Sequence, residues 1–165
     1  MTVAIGDRAP DFTLPSATGE SVTLSLLLGK RTVVVFFYPK DDTMGCTVEA
    51  CTFRDLNGDF VAAGAEVVGI SSDSSGSHER FANKHRLPMT LLSDVDGKVR
   101  ALYGVRSTLG LLPGRATFVI DRDGVVRHVL VSQFRFHQHA ESALDVVRRL
   151  ETQRLAQGAA RTSNP

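Results

Sequence analysis

The sequence has no tryptophan, only two cysteines, and no run of apolar residues long enough to cross a bilayer. The longest such run, Val33 to Tyr38, is far short of a membrane span. An excess of one charge is also missing: 19 basic residues stand against 18 acidic ones, for a net charge of +1. That balance removes the electrostatic reason to expect nucleic acid or a membrane surface as partner. The start MTVAIGDRAPDF has no apolar core region, so no signal peptide is expected and the cytoplasm is the default location. In a reducing cytosol two cysteines are redox-active or inert rather than a permanent bridge. Internal repeats, a dividing linker and a Cys-x-x-Cys pair are all absent. Two cysteines at this spacing do not make a structural zinc site, and the five histidines, His78, His85, His128, His137 and His139, read as surface residues rather than ligands.

What remains is an ordinary globular composition, 42% hydrophobic and 22% charged, of a size that fits one domain. That domain is expected over residues 1–155, with a disordered polar tail over 156–165. The segment Gly6 to Gly19, with Pro10 and Pro15, reads as extended with short strand character, and Ser21 to Leu24 as a second short strand pairing with it. Arg31 to Tyr38 holds a β-branched and aromatic run without alternation, the pattern of a central strand buried on both faces. A helix is expected from about Cys46 to Ala63, with Val48, Cys51, Phe53, Leu56 and Phe60 as its apolar stripe. Glu66 to Ser71 and Thr90 to Ser93 read as strands, Ser77 to His85 as a helix, and a further helix ends near Tyr103. Ala116 to Asp121 and Val125 to Leu130 flank Arg122-Asp123-Gly124, a strong hairpin signal. An amphipathic helix runs from His139 to about Leu155. The order predicts an α/β domain, a mixed central sheet with helices on both faces and an N-terminal strand extension.

The chemistry concentrates in Tyr38-Pro39-Lys40-Asp41-Asp42-Thr43-Met44-Gly45-Cys46-Thr47-Val48-Glu49-Ala50-Cys51. Cys46 follows a buried strand and a glycine-bearing loop, which places it in the first turn of a helix. Unpaired backbone N–H groups and the helix dipole favour a thiolate there. A free thiol has a pKa of about 8.5, so about 3% is ionised at pH 7. A helix N-terminus supplies at most about 1.5 pKa units. Complete ionisation gains only about 30-fold. Faster chemistry needs a nearby cation and groups that hold the substrate and the departing oxygen. Thr43 can supply a hydroxyl. Arg115, just before the strand ATFVID, can supply the cation, because strand ends in α/β sheets gather at one crevice.

These residues carry a specific resemblance. Pro39-xxx-Thr43-xx-Cys46 is similar to the peroxiredoxin active-site motif. The string YPKDDTMGCTVEACTFRD resembles the subfamily known as bacterioferritin comigratory protein, or peroxiredoxin Q. So do GDRAPDFTLP, SHERFANKHRLPMTLLSDVDGKVRALYGV and RATFVIDRDGVVRHV, and together they span roughly residues 5 to 150. The resemblance implies a thioredoxin-like fold and a thiol peroxidase of the atypical 2-Cys type with no metal, haem or flavin. It implies that Cys46 is the peroxidatic cysteine, that Thr43 orients the peroxide and that Pro39 shields the thiolate. Arg115 then polarises thiolate and substrate, Glu49 helps hold the arginine network, and Cys51 matches a resolving cysteine. The reductant implied is thioredoxin or a glutaredoxin-type dithiol, and the oligomeric state leans to monomer, with a weak dimer as the alternative. Met44 departs from the pattern, which usually has proline there.

Plainer alternatives stand beside these roles. Cys46 or Cys51 can be packing residues, Thr43 a cap, Pro39 a strand terminator, Arg115 a surface arginine, and Glu49 a favourable first-turn charge. Leu109 to Pro113 can be core, an apolar rim for substrate or a dimer contact. As functions, a protein disulfide exchanger and a non-catalytic redox-switch module compete with the peroxidase. If Cys46 and Cys51 share a helix, they lie about 7.5 Å apart along its axis and about 140° apart around it. A disulfide needs Cα atoms within about 6.8 Å. The bridge therefore requires local unwinding, and reduced and oxidised forms should differ in helicity and hydrogen-exchange protection over residues 46–55; identical protection in the two forms contradicts this.

Overall fold

A computed structural model describes residues 2–107 and 113–163. Its elements are β1 (Thr13–Pro15), β2 (Ser21–Thr23), α1 (Leu24–Leu27), β3 (Thr32–Phe37), α2 (Met44–Ala62), β4 (Ala65–Ser71), α3 (Ser75–His85), β5 (Thr90–Ser93), α4 (Lys98–Leu102), β6 (Ala116–Ile120), β7 (Val126–Val131) and α5 (Phe136–Thr162). The last is longer than its sequence pattern suggested: residues 156–162 are helical and exposed rather than a disordered tail. Leu109 to Leu112, most of the apolar run noted above, lie outside the described residues.

β1 and β2 form a small antiparallel pair, the expected N-terminal extension. The main sheet has the order β5-β4-β3-β6-β7. β4 runs parallel to β3, β5 parallel to β4, and the β6–β7 hairpin antiparallel to β3. The hairpin turns at Asp121, whose carboxylate accepts the backbone N–H groups of Asp123 and Val125 at 2.9 and 3.0 Å. β3 is central and buried at every residue. Its side chains divide between two cores by strict alternation. Val34 and Phe36 face α2, α3 and α5. Val33, Val35 and Phe37 face α1, α4 and the N-terminal segment. Helices thus cover both faces, which explains why β3 reads as a continuous apolar run.

α2 is seated on β3 by aromatic rings. Phe36 stacks on Phe53 with centroids 4.4 Å apart, and Phe53 on Phe60 at 5.8 Å. The buried stripe of α2 is Cys46, Glu49, Ala50, Phe53 and Phe60. Val48 and Cys51, assigned to that stripe from sequence, are only half-buried. Phe53 and Phe60 fix the rotation of the helix, and residue 46 falls within about 20° of Phe53 around its axis, while residue 51 does not.

Gly69 of β4 lies where a Cβ would come within 2.6 Å of Phe36 Cζ and 2.9 Å of Leu91 Cδ2. Gly69→Ala should therefore overpack the layer beneath α2 and cost about 1–3 kcal/mol in urea unfolding.

Candidate active site

The register of the sheet brings the site together. Phe37 at the end of β3 pairs with Ala116 at the start of β6. The residues just outside those ends, Tyr38 and Arg115, therefore emerge at the same edge. β3 runs on through Pro39–Asp42 to Thr43, the N-cap of α2, and Cys46 follows three residues later. The Thr47 N–H closes the first helical bond on the Thr43 carbonyl at 2.8 Å. The N–H groups ahead of it have no partner within the helix, so positive potential gathers where Cys46 sits.

Cys46 is 1% exposed. Arg115 Nη2 donates to its Sγ at 3.3 Å, and Nη1 donates to Glu49 Oε2 at 3.1 Å. Arg115 Nε donates to the Gln133 carbonyl at 3.3 Å, and the guanidinium lies 4.9 Å from the Phe136 ring centroid. Four partners hold one cation with an N–H aimed at sulfur, a geometry suited to a sulfur bearing negative charge. Phe136 also packs over Gly45: a Cβ there would meet its ring at 2.5 Å and Arg115 Nη2 at 3.3 Å. Glycine is required at 45 by this close approach.

Of the residues singled out from sequence, Cys46, Arg115 and Glu49 are in direct contact. Thr43 is exposed at the N-cap position of α2, but its hydroxyl makes no capping bond and donates instead to the Lys40 carbonyl at 3.0 Å. Pro39 is half-buried between strand and loop. Cys51 is a free, half-buried thiol within the same helix. Met44 is 87% exposed at the first helical position.

Other groups at the site were not picked out from sequence. Arg100 is buried and donates to the carbonyls of Tyr38, at 2.7 Å, and Gly114. It ties together the two backbone segments that carry Cys46 and Arg115. His139 and His78, read as surface residues, are fully buried. His139 Nε2 donates to the Ser132 carbonyl at 2.8 Å, and its Nδ1 accepts from Thr117 Oγ1 at 2.7 Å. The segment QFRFHQH carried no periodic signal that could have marked Phe136 or His139. Arg100 lay within the resembling segment but without a motif of its own.

The sequence matches the AhpC/TSA family over residues 5–129. The chain belongs to that family, in its peroxiredoxin Q branch. It is 51% identical over 150 residues to the chloroplastic peroxiredoxin Q of Sedum lineare, covering 90% of this chain and 80% of that one. Identity to the chloroplastic peroxiredoxin Q of Oryza sativa subsp. japonica is 48% over 149 residues, covering 90% and 68%. The solved peroxidoxin BcpB of Mycobacterium tuberculosis superposes with a TM-score of 0.83 at 45% identity, covering 90% and 98%. A cysteine-to-serine mutant of Xylella fastidiosa PrxQ superposes with a TM-score of 0.83 at 27% identity, covering 91% and 98%. The fold is the thioredoxin-like one of these peroxiredoxins, and the chain is a thiol peroxidase. Among the described residues no helix is long and apolar enough to cross a membrane.

In this peroxiredoxin the carboxyl beside the arginine is unusual. Burial pushes Glu49 up to about 8, against the opposing pull of Arg115, and its Oε1 has no hydrogen-bond partner among the described residues. A protonated Glu49 still accepts from Arg115 but leaves the positive charge free to serve the sulfur. His139 is pushed down to about 4, first by burial and then by the charges of Arg115 and His128, against its bond to Ser132. The two groups act oppositely on stability. Glu49 holds its proton more tightly when folded, so its contribution is complete below about 4.5 and is lost as pH rises to about 8. His139 resists protonation when folded, so its contribution is complete above about 6.5 and is lost as pH falls through about 4. His128, lowered by burial and by Arg149, acts in the same sense as His139. From pH 6.5 to 8 only the Glu49 effect remains among these three. Stability should fall there by roughly 2 kcal/mol in urea unfolding, and Glu49→Gln should flatten the fall.

Proposed function

We propose that Cys46 is the peroxidatic cysteine and Cys51 the resolving one. The observation that carries this reading is the Arg115 guanidinium, 3.3 Å from a buried Cys46 sulfur in the first turn of α2. In the first step the Cys46 thiolate attacks one oxygen of a hydroperoxide. An S–O bond forms, the O–O bond breaks, and the departing oxygen leaves as water or an alcohol after taking a proton. Sulfur is oxidised to a sulfenic acid as the peroxide is reduced. Arg115 stabilises the charge on both sulfur and departing oxygen, and Glu49 orients Arg115. The Thr43 hydroxyl orients the peroxide at the mouth, and Pro39 keeps water from the sulfur.

In the second step the Cys51 thiol attacks the sulfenic sulfur, an S–S bond forms and water leaves. The two cysteines lie at positions of one continuous helix that cannot be bridged without unwinding. A thioredoxin- or glutaredoxin-type dithiol then reduces the bridge by exchange and is itself left as a disulfide. We assign the substrates as hydrogen peroxide and organic hydroperoxides, and the role as antioxidant defence. Resolution within one chain makes a monomer sufficient. The cytoplasm is our reading of the compartment; the plant relatives are named chloroplastic.

Peroxide consumption coupled to thioredoxin and its reductase tests the assignment. Cys46→Ser should show none. Cys51→Ser should lose turnover with that donor yet keep one stoichiometric oxidation. A wild-type protein that consumes no peroxide with any dithiol donor overturns the reading.

A further inference from the structure

The loop that delivers Cys46 is gripped by an element outside the peroxide site. Asp41, in the middle of the loop, is 6% exposed. Its Oδ2 lies 2.8 Å from His78 Nδ1 and accepts from Ser77 Oγ at 2.9 Å. Its Oδ1 accepts from Tyr38 OH at 2.6 Å, and its N–H donates to Asp73 Oδ2 at 2.7 Å. Ser77 and His78 both belong to α3. His78 is fully buried, and its other nitrogen, Nε2, faces the Leu92 carbonyl at 3.0 Å. The Tyr38 hydroxyl also lies 3.2 Å from His78 Nδ1, so strand end, loop and α3 meet in one buried polar cluster. A buried Asp–His pair of this kind is costly to break by removing one partner.

The next residue is held by the same helix from outside. Asp42 adopts φ 62°, a left-handed conformation unusual for a non-glycine residue. Its carboxylate accepts from Lys84 Nζ at 2.9 Å and lies 3.4 Å from His85 Nε2. Thus α3 holds two consecutive loop residues, one buried and one exposed, immediately before the N-cap of α2. We propose that α3 is a clamp on this loop, with Asp41 and His78 as positioning residues. The clamp sets the balance between the wound α2 that attacks peroxide and the unwound α2 that closes the disulfide. The proposal rests on the two-cysteine cycle above.

Such a clamp has a kinetic signature that loss of stability alone does not produce. Attack on peroxide scales with the wound fraction, which is near one while the clamp holds. Disulfide closure scales with the unwound fraction, which is small. Weakening the clamp tenfold therefore speeds closure about tenfold while slowing attack no more than about twofold. With no tryptophan to report the change, quenched-flow samples read by intact mass resolve thiol, sulfenic acid and disulfide. His78→Gln and Asp41→Asn should each speed closure about tenfold. Lys84→Ala, at the exposed contact, should fold normally and speed it about twofold. Val126→Ala, a cavity in the core on the other face of the sheet, should lower thermal stability and leave both rates unchanged. Closure at the wild-type rate or slower in His78→Gln and Lys84→Ala overturns the clamp. A wild-type protein that never forms the Cys46–Cys51 disulfide overturns the cycle itself, a separate and recognisable result.

Discussion

One guanidinium organises the site. Arg115 touches the Cys46 sulfur, the Glu49 carboxyl, the Gln133 carbonyl and the Phe136 ring at once. The contacts engage all three guanidinium nitrogens and the ring of Phe136, so the cation has little freedom to leave the sulfur. The surrounding structure reads as what this placement requires. The β3–β6 register sets the arginine beside the loop, and the Phe36–Phe53–Phe60 stack sets the rotation of α2. Arg100 ties the carbonyls of Tyr38 and Gly114, and Gly45 leaves room for Phe136. Glu49 completes it because a carboxyl kept neutral by burial can take a hydrogen bond without cancelling the charge.

Much of this was legible in the chain itself. The β-branched and aromatic run within Arg31 to Tyr38 read as a strand covered on both sides, and Arg122-Asp123-Gly124 as a hairpin turn, and both are found there. The glycine-bearing loop after that strand placed Cys46 at a helix start, and strand topology together with the family resemblance pointed to Arg115. What escaped depended on faces and distances. A histidine carries no sign of which side of a helix will be buried, so His78 and His139 read as surface residues although both are enclosed. The stripe of α2 was misread in part: Val48 and Cys51 mimic an apolar face, whereas Phe53, Phe60 and Leu56 do pack on the core and the aromatic stack rotates Cys46 and Ala50 inward with them. The end of α5 lacks apolar periodicity after Leu155, yet the helix continues through seven exposed residues to Thr162.

Met44 shows how a departure from a family pattern can be silent. It occupies the first helical position, where proline is favoured because its missing N–H would have no helical partner. Methionine there forgoes the preset backbone angle but disturbs no bond of the site, and its side chain points to solvent.

The near-complete enclosure of Cys46 also sorts what can reach it. A hydroperoxide is small enough to reach a side chain that is 1% exposed. A protein thiol is not: its cysteine arrives on a surface too broad to follow. In the cycle proposed above, a large donor therefore has no direct route to Cys46 while α2 is wound, and its electrons wait until the bridge to Cys51 opens the segment. Burial of a single side chain thus imposes an order on the cycle, oxidant first and reductant last, without any separate gate.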